Sequence, residues 1–73
     1  MARFLMTTRR EARVDGATPT ALEAAVSEPG VSVLQSSDQH MVTIDTSAET
    51  AERLSQKFGA THFLEPEIRR GLQ

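Results

Sequence analysis

At 73 residues, with no cysteine, tryptophan or tyrosine, the chain has room for one thin core and neither a disulfide nor a thiolate zinc site to staple it. Eight basic residues against ten acidic ones give a net charge of −2; the nearest basic cluster, Arg3, Arg9, Arg10 and Arg13, has only Phe4 on which a base could stack, so nucleic acid is not an expected partner. No apolar run approaches the ~20 residues of a membrane span, and Phe4-Leu5-Met6 ahead of more arginine is not a secretory signal, so the chain is expected to be cytoplasmic or a processed secreted protein.

The run Phe4-Leu5-Met6-Thr7-Thr8 predicts a strand over about residues 2–9, ended by Arg9, Arg10 and Glu11. After a polar stretch, Thr18-Pro19 predicts a helix start, with proline at the first helical position. Leu22, Ala25 and Val26, with Ala21 beside them, form its apolar face until Glu28-Pro29-Gly30 stops it. A hairpin follows: Val31 to Gln35, turn chemistry at Ser36-Ser37-Asp38, then a second β-rich run from His40 to Asp45. Thr46 and Glu49 have the spacing of a capping box. The helix they open has Ala51, Leu54, Ser55 and Phe58 on one face, an i,i+4 pair Glu49/Arg53 on the other, and Gly59 at its end. Thr61 to Leu64 predicts the last strand, which Pro66 ends or confines to an edge.

The order is βαββαβ. Right-handed crossovers then place both helices on one face of a four-stranded antiparallel sheet, a ferredoxin-like α+β fold. The expected division is a domain over 1–67 and an extended tail over 68–73, a segment with no structural task after the last strand. At this size burial nearly cancels ordering entropy, so the domain is expected to be marginally stable unless a partner completes it.

The residues offer little catalytic chemistry. His40 and His62 lack the spaced partners of a metal site, carboxylates such as Asp38 and Glu65 having to be brought to them by the fold, and two histidines on strand surfaces are the simpler reading. No serine sits between glycines in a strand-to-helix elbow, and Asp15-Gly16 is a lone turn rather than a phosphate loop. Neither catalysis nor a cofactor nor a metal is expected. Glu65 and Glu67 stand out: two apart on an extended chain, their carboxylates project on the same side, where they can meet a partner's helix N-termini or simply stay solvated.

The element order, the length and the run Phe63-Leu64-Glu65-Pro66-Glu67 ahead of a six-residue tail resemble the propeptide domains of subtilisin-type serine proteases and the freestanding inhibitors that share their shape. The pattern is an apolar pair, acid-x-acid, then about six extended residues, and here it covers Phe63 to Gln73. The resemblance implies an inhibitor and folding chaperone of a subtilisin-like serine protease. Its sheet face would pack on two surface helices, with Glu65 and Glu67 capping them. Arg70, Gly71, Leu72 and Gln73 would lie in the substrate cleft, with Gln73 at the primary specificity subsite. Arg70 stands where the family favours an apolar side chain, which asks for an acidic subsite or another register. Pro66 replaces an acid common between the two and stiffens the exit of the tail. A chain running from Met1 to Gln73 without a catalytic domain is expected to be freestanding, a monomer or weak dimer. The alternative is a small ferredoxin-like module that dimerises through its sheet and binds a metabolite or a partner protein.

Overall fold

Among the described residues the elements follow in chain order as β1 (Ala2–Thr8), the single helical turn α1 (Arg10–Arg13), α2 (Ala21–Val26), β2 (Ser32–Asp38), β3 (Met41–Thr46), α3 (Ala48–Phe58) and β4 (His62–Pro66). This architecture is taken from a computed structural model, which describes residues 2–14 and 16–67. The cleft-binding role expected of Arg70, Gly71, Leu72 and Gln73 therefore lies outside the described residues. Every strand pair is antiparallel and the sheet order is β2-β3-β1-β4, the order of a ferredoxin-like α+β fold. Each helical crossover skips one strand, β1 to β2 across β3 and β3 to β4 across β1, which puts β1 and β3 at the centre.

Side-chain alternation decides which face is buried. Met6 and Thr8 of β1, Val42, Ile44 and Thr46 of β3, and His62 of β4 turn towards α2 and α3. Opposite them stand Ala21, Ala24 and Ala25 of α2 and Ala51 and Leu54 of α3. A helix whose fully buried side chains are methyl groups approaches a sheet closely, so the six-residue α2 closes this side of the core with three alanines and the partly buried Leu22 beside them. α3 supplies the bulk, with Leu54 fully buried and Phe58 packed at the margin.

Local chemistry moved several boundaries. α2 starts two residues later than Thr18-Pro19 predicts. The Thr20 hydroxyl accepts from Glu23 N–H at 3.1 Å while Glu23 Oε1 accepts from Thr20 N–H at 2.9 Å, a reciprocal box that fixes the start. Its buried stripe is then Ala21, Ala24 and Ala25, and Val26, expected on the apolar face, is 64% exposed. At α3 the cap is Ser47, whose hydroxyl accepts from Thr50 N–H at 3.1 Å. Thr46 belongs instead to β3 and donates its hydroxyl to Gly30 O at 2.9 Å. Ser55 is exposed, and Arg53 pairs not with Glu49 but with the buried Glu28, Nε to Oε2 at 3.4 Å, joined there by Lys57 Nζ at 3.4 Å.

The hairpin turn lies at Gln39 and His40, not at Ser36-Ser37-Asp38. β2 runs through Asp38, whose Oδ1 accepts from His40 N–H at 2.9 Å, and irregularities between Val33 and Asp38 absorb the extra residues. Gly59 ends α3 at a helical φ of −60° rather than in the left-handed region. A Cβ there would collide with the Ser55 carbonyl, so glycine is required for space. Among the described residues the left-handed glycine is Gly30, with φ 87°, at the entry to β2. The turn α1 was not anticipated in so polar a stretch; it buries Ala12, and Arg13 Nε donates to Thr8 O at 3.1 Å.

Candidate functional site

The same alternation that buries one face projects Arg3, Leu5, Thr7, Met41, Thr43, Asp45, Phe63 and Glu65 from the side away from α2 and α3. Strand pairing sets their rows. Met41, Thr7 and Phe63 stand side by side across β3, β1 and β4; Thr43, Leu5 and Glu65 form the next row; Asp45 faces Arg3 in the third. Glu67 N–H donates to Arg3 O at 2.9 Å, so the β1–β4 ladder continues one step past Pro66 and keeps Glu67 on the side of Glu65.

The face thus has an apolar centre of Leu5, Met41 and Phe63, with Met41 46% and Phe63 48% exposed. Glu65 and Glu67 are exposed along its β4 edge, and among the described residues neither is in an ion pair. Asp45 Oδ1 is buried and has no hydrogen-bond partner among them. Burying a half-exposed phenylalanine against a partner recovers a share of the ~1.5–3 kcal/mol that full burial is worth, so this face has a reason to be covered.

Of the four clustered arginines, the structure separates three roles. Arg9 continues the period-two series 3, 5, 7, 9. Its backbone N–H donates to Thr61 O at 2.8 Å, its Nη2 donates to Gly59 O at 2.9 Å, and its guanidinium carbon lies 4.0 Å from the centroid of the Phe63 ring. Arg13 binds Thr8 O, while Arg10 is exposed on α1. Sequence reasoning grouped them by charge and missed the stack; strand periodicity carried one residue further was the available signal.

The histidines do not come together. His40 sits in the β2–β3 turn, whereas His62 is 3% exposed on the helix side, a correction to the expectation that both lie on the surface. His62 Nε2 lies 3.0 Å from Pro19 O, which can only accept, so Nε2 carries the hydrogen and Nδ1 accepts from the Thr61 hydroxyl at 2.7 Å. The ring meets Phe58 edge-on at 5.5 Å between centroids. Proline at residue 19 thus gives its carbonyl to β4 rather than starting a helix. Among the described residues no three potential ligands gather around a metal position. Two serines serve helix ends: the Ser27 hydroxyl donates to Ala24 O at 2.8 Å, and Ser47 caps α3.

Burial holds the His62 imidazole below the usual histidine range, backbone hydrogen bonds offsetting part of that and His40 adding to it. A depressed folded value means that the unfolded chain binds the proton first as pH falls. His62 therefore contributes stability that is complete above the unfolded value of about 6.5 and is lost as pH drops through the lower folded value. Urea unfolding midpoints measured between pH 7.5 and 5 are expected to fall towards acid, and less steeply in His62→Gln; equal slopes for the two chains would remove His62 as the cause.

On the helix side, an open groove of about 370 Å³ runs between Phe4 and Leu64 of the sheet and Ala48, Ala51 and Ser55 of α3. Among the described residues Glu52 is the one ionisable side chain lining it. Among the described residues no helix is long and apolar enough to cross a membrane. Compared with protein families, with curated proteins and with solved structures, the chain matches none.

Proposed function

We propose that this protein is a reversible inhibitor of a subtilisin-like serine protease, and a chaperone for its folding, which docks through the open face of the sheet. The observation that carries the reading is the pair Glu65 and Glu67, exposed at the free β4 edge of an apolar face and unpaired among the described residues. Two carboxylates so arranged suit the N-termini of two surface helices, where amide donors and dipole together favour an anion by ~0.3–2 kcal/mol each. The ferredoxin-like order supports the reading, because it leaves one whole sheet face for a partner. The resemblance of Phe63 to Gln73 to the propeptide pattern supplies the identity of that partner and a role for Arg70, Gly71, Leu72 and Gln73 in its cleft.

The double substitution Glu65→Ala/Glu67→Ala tests this. Inhibition of a subtilisin, followed by hydrolysis of a chromogenic peptide, is expected to weaken at least tenfold, about 1.4 kcal/mol. Both side chains are exposed, so the unfolding midpoint should stay put. Unchanged inhibition would remove the helix-capping role. The Met41-Thr7-Phe63 row favours a second reading, a dimer formed face to face; a chain that sediments as a dimer and does not inhibit would select it.

A further inference from the structure

We propose that Phe63 is the anchor of the docking face and that Arg9 is a positioning residue which holds its ring ready for the partner. This rests on the inhibitor reading and adds to it the residues that carry most of the binding energy. The occupant is the protease surface that offers helix N-termini to Glu65 and Glu67, because the exposed carboxylates along the β4 edge complement the positive ends of helices. Phe63 lies two residues from Glu65 on the same edge, about 7 Å away at the rise of a strand, within reach of the first two turns of a helix whose start meets Glu65.

Three observations single out this pair. First, Phe63 is the largest side chain on the face and is 48% exposed, so it has the most apolar surface to gain by being covered. Second, it stands in the row with Thr7 and Met41 and beside the row of Leu5 and Glu65, so a partner that covers it also covers the apolar centre and keeps the acid in contact. Third, an exposed aromatic ring ordinarily loses rotamer freedom when it binds, and here a cation is stacked on the ring of the free chain. The Arg9 guanidinium, 4.0 Å from the ring centroid, is fixed by its hydrogen bond to Gly59 O at the end of α3. Preorganisation of this kind raises affinity without adding a contact. Buried aromatic anchors dominate interfaces of standard size, whereas rim charges mostly set rate and orientation. Phe63 is therefore expected to outweigh either glutamate.

The test is a double-substitution cycle on the full chain, with subtilisin and a chromogenic peptide as the probe and thermal unfolding of each variant as the control. Phe63→Ala should raise the inhibition constant at least thirtyfold, and Arg9→Met five- to tenfold. Arg9 acts through the ring, so Phe63→Ala/Arg9→Met should inhibit no worse than Phe63→Ala alone. Arg9→Lys, which keeps charge but not the planar fork, should behave as Arg9→Met. Phe63→Leu keeps apolar bulk if the alanine variant unfolds, and should still cost about tenfold. Inhibition that survives Phe63→Ala and Phe63→Leu within threefold overturns the anchor. A double variant weakened by the full product of the single effects overturns the positioning role. Absence of inhibition by the unsubstituted chain overturns the inhibitor reading itself, and is distinguished from the other two by that first measurement.

Discussion

Leu54→Ala is expected to leave the free chain largely unfolded. Leu54 is fully buried and belongs to the cluster that also holds Met6, Val42 and Ile44, and it is the one large aliphatic side chain that a helix contributes to it. Truncating such a residue costs ~2–5 kcal/mol, the lost transfer energy plus the cavity left behind. A single core at this chain length supplies ~3–5 kcal/mol, so the two numbers meet. The control is Leu34→Ala: Leu34 is 47% exposed on β2, and its loss should stay within about 0.5 kcal/mol. Circular dichroism through a urea titration reads both. A cooperative Leu54→Ala transition close to that of the unsubstituted chain would mean that the fold is held elsewhere. The same variant bears on function, because a partner that binds only the folded state restores about 2.7 kcal/mol at a hundred times its dissociation constant. Leu54→Ala should thus regain helix and sheet signal when an inactivated protease is added.

The fold was legible from its element order, which turn and cap residues punctuate. The β-rich runs Phe4 to Thr8 and His40 to Asp45 give the two central strands, and Ala51, Leu54 and Phe58 at helical spacing give the inward face of α3, whereas the strand face that carries Met6, Val42 and Ile44 is told from its opposite only by the helices that cover it. What failed was local competition between equivalent groups. Thr18 and Thr20, or Thr46 and Ser47, are interchangeable caps on paper. The choice falls to Thr20 because Glu23 is placed to answer it, and to Ser47 because β3 pairing with β1 claims Thr46 up to its register with Ala2. His62 was misread because its partners, Pro19 O and Thr61 Oγ1, bring a polar ring into the core in a way that no spacing announces. Glu28 was read only as a helix stop, although its burial follows from Arg53 and Lys57 reaching it from α3.

The open sheet face was half legible. Glu65 and Glu67 could be put on one side of an extended chain from their spacing. Their neighbours could not, because Leu5 and Met41 reach them only through strand order and register. Arg9 is the sharper case. It looked like one member of a basic cluster, yet a cation held at the end of a strand over an aromatic ring on the adjacent strand is a cross-strand pair, visible only once β1 and β4 are aligned.

Removal of Arg70, Gly71, Leu72 and Gln73 is expected to have the largest effect on function, at least a hundredfold loss of inhibition with no change in the unfolding midpoint. In the proposed complex the sheet face provides the hold and the tail provides the block. An extended peptide of four residues binds a cleft weakly by itself. Tethered to a docked domain, it meets the cleft at an effective concentration of order millimolar, so modest strand-like contacts become decisive. Gly71, with no side chain, admits the close backbone approach that such pairing needs. Two measurements separate the two parts. Calorimetry should find the shortened chain still binding the protease, because Glu65, Glu67 and Phe63 remain, while hydrolysis of a small peptide proceeds uninhibited because the cleft is open. If the shortened chain still blocks hydrolysis as well as the intact one, the tail is no substrate mimic and the face itself must obstruct the cleft. If it neither binds nor blocks, the face has no hold of its own, and Phe63 and Arg9 lose the role proposed for them.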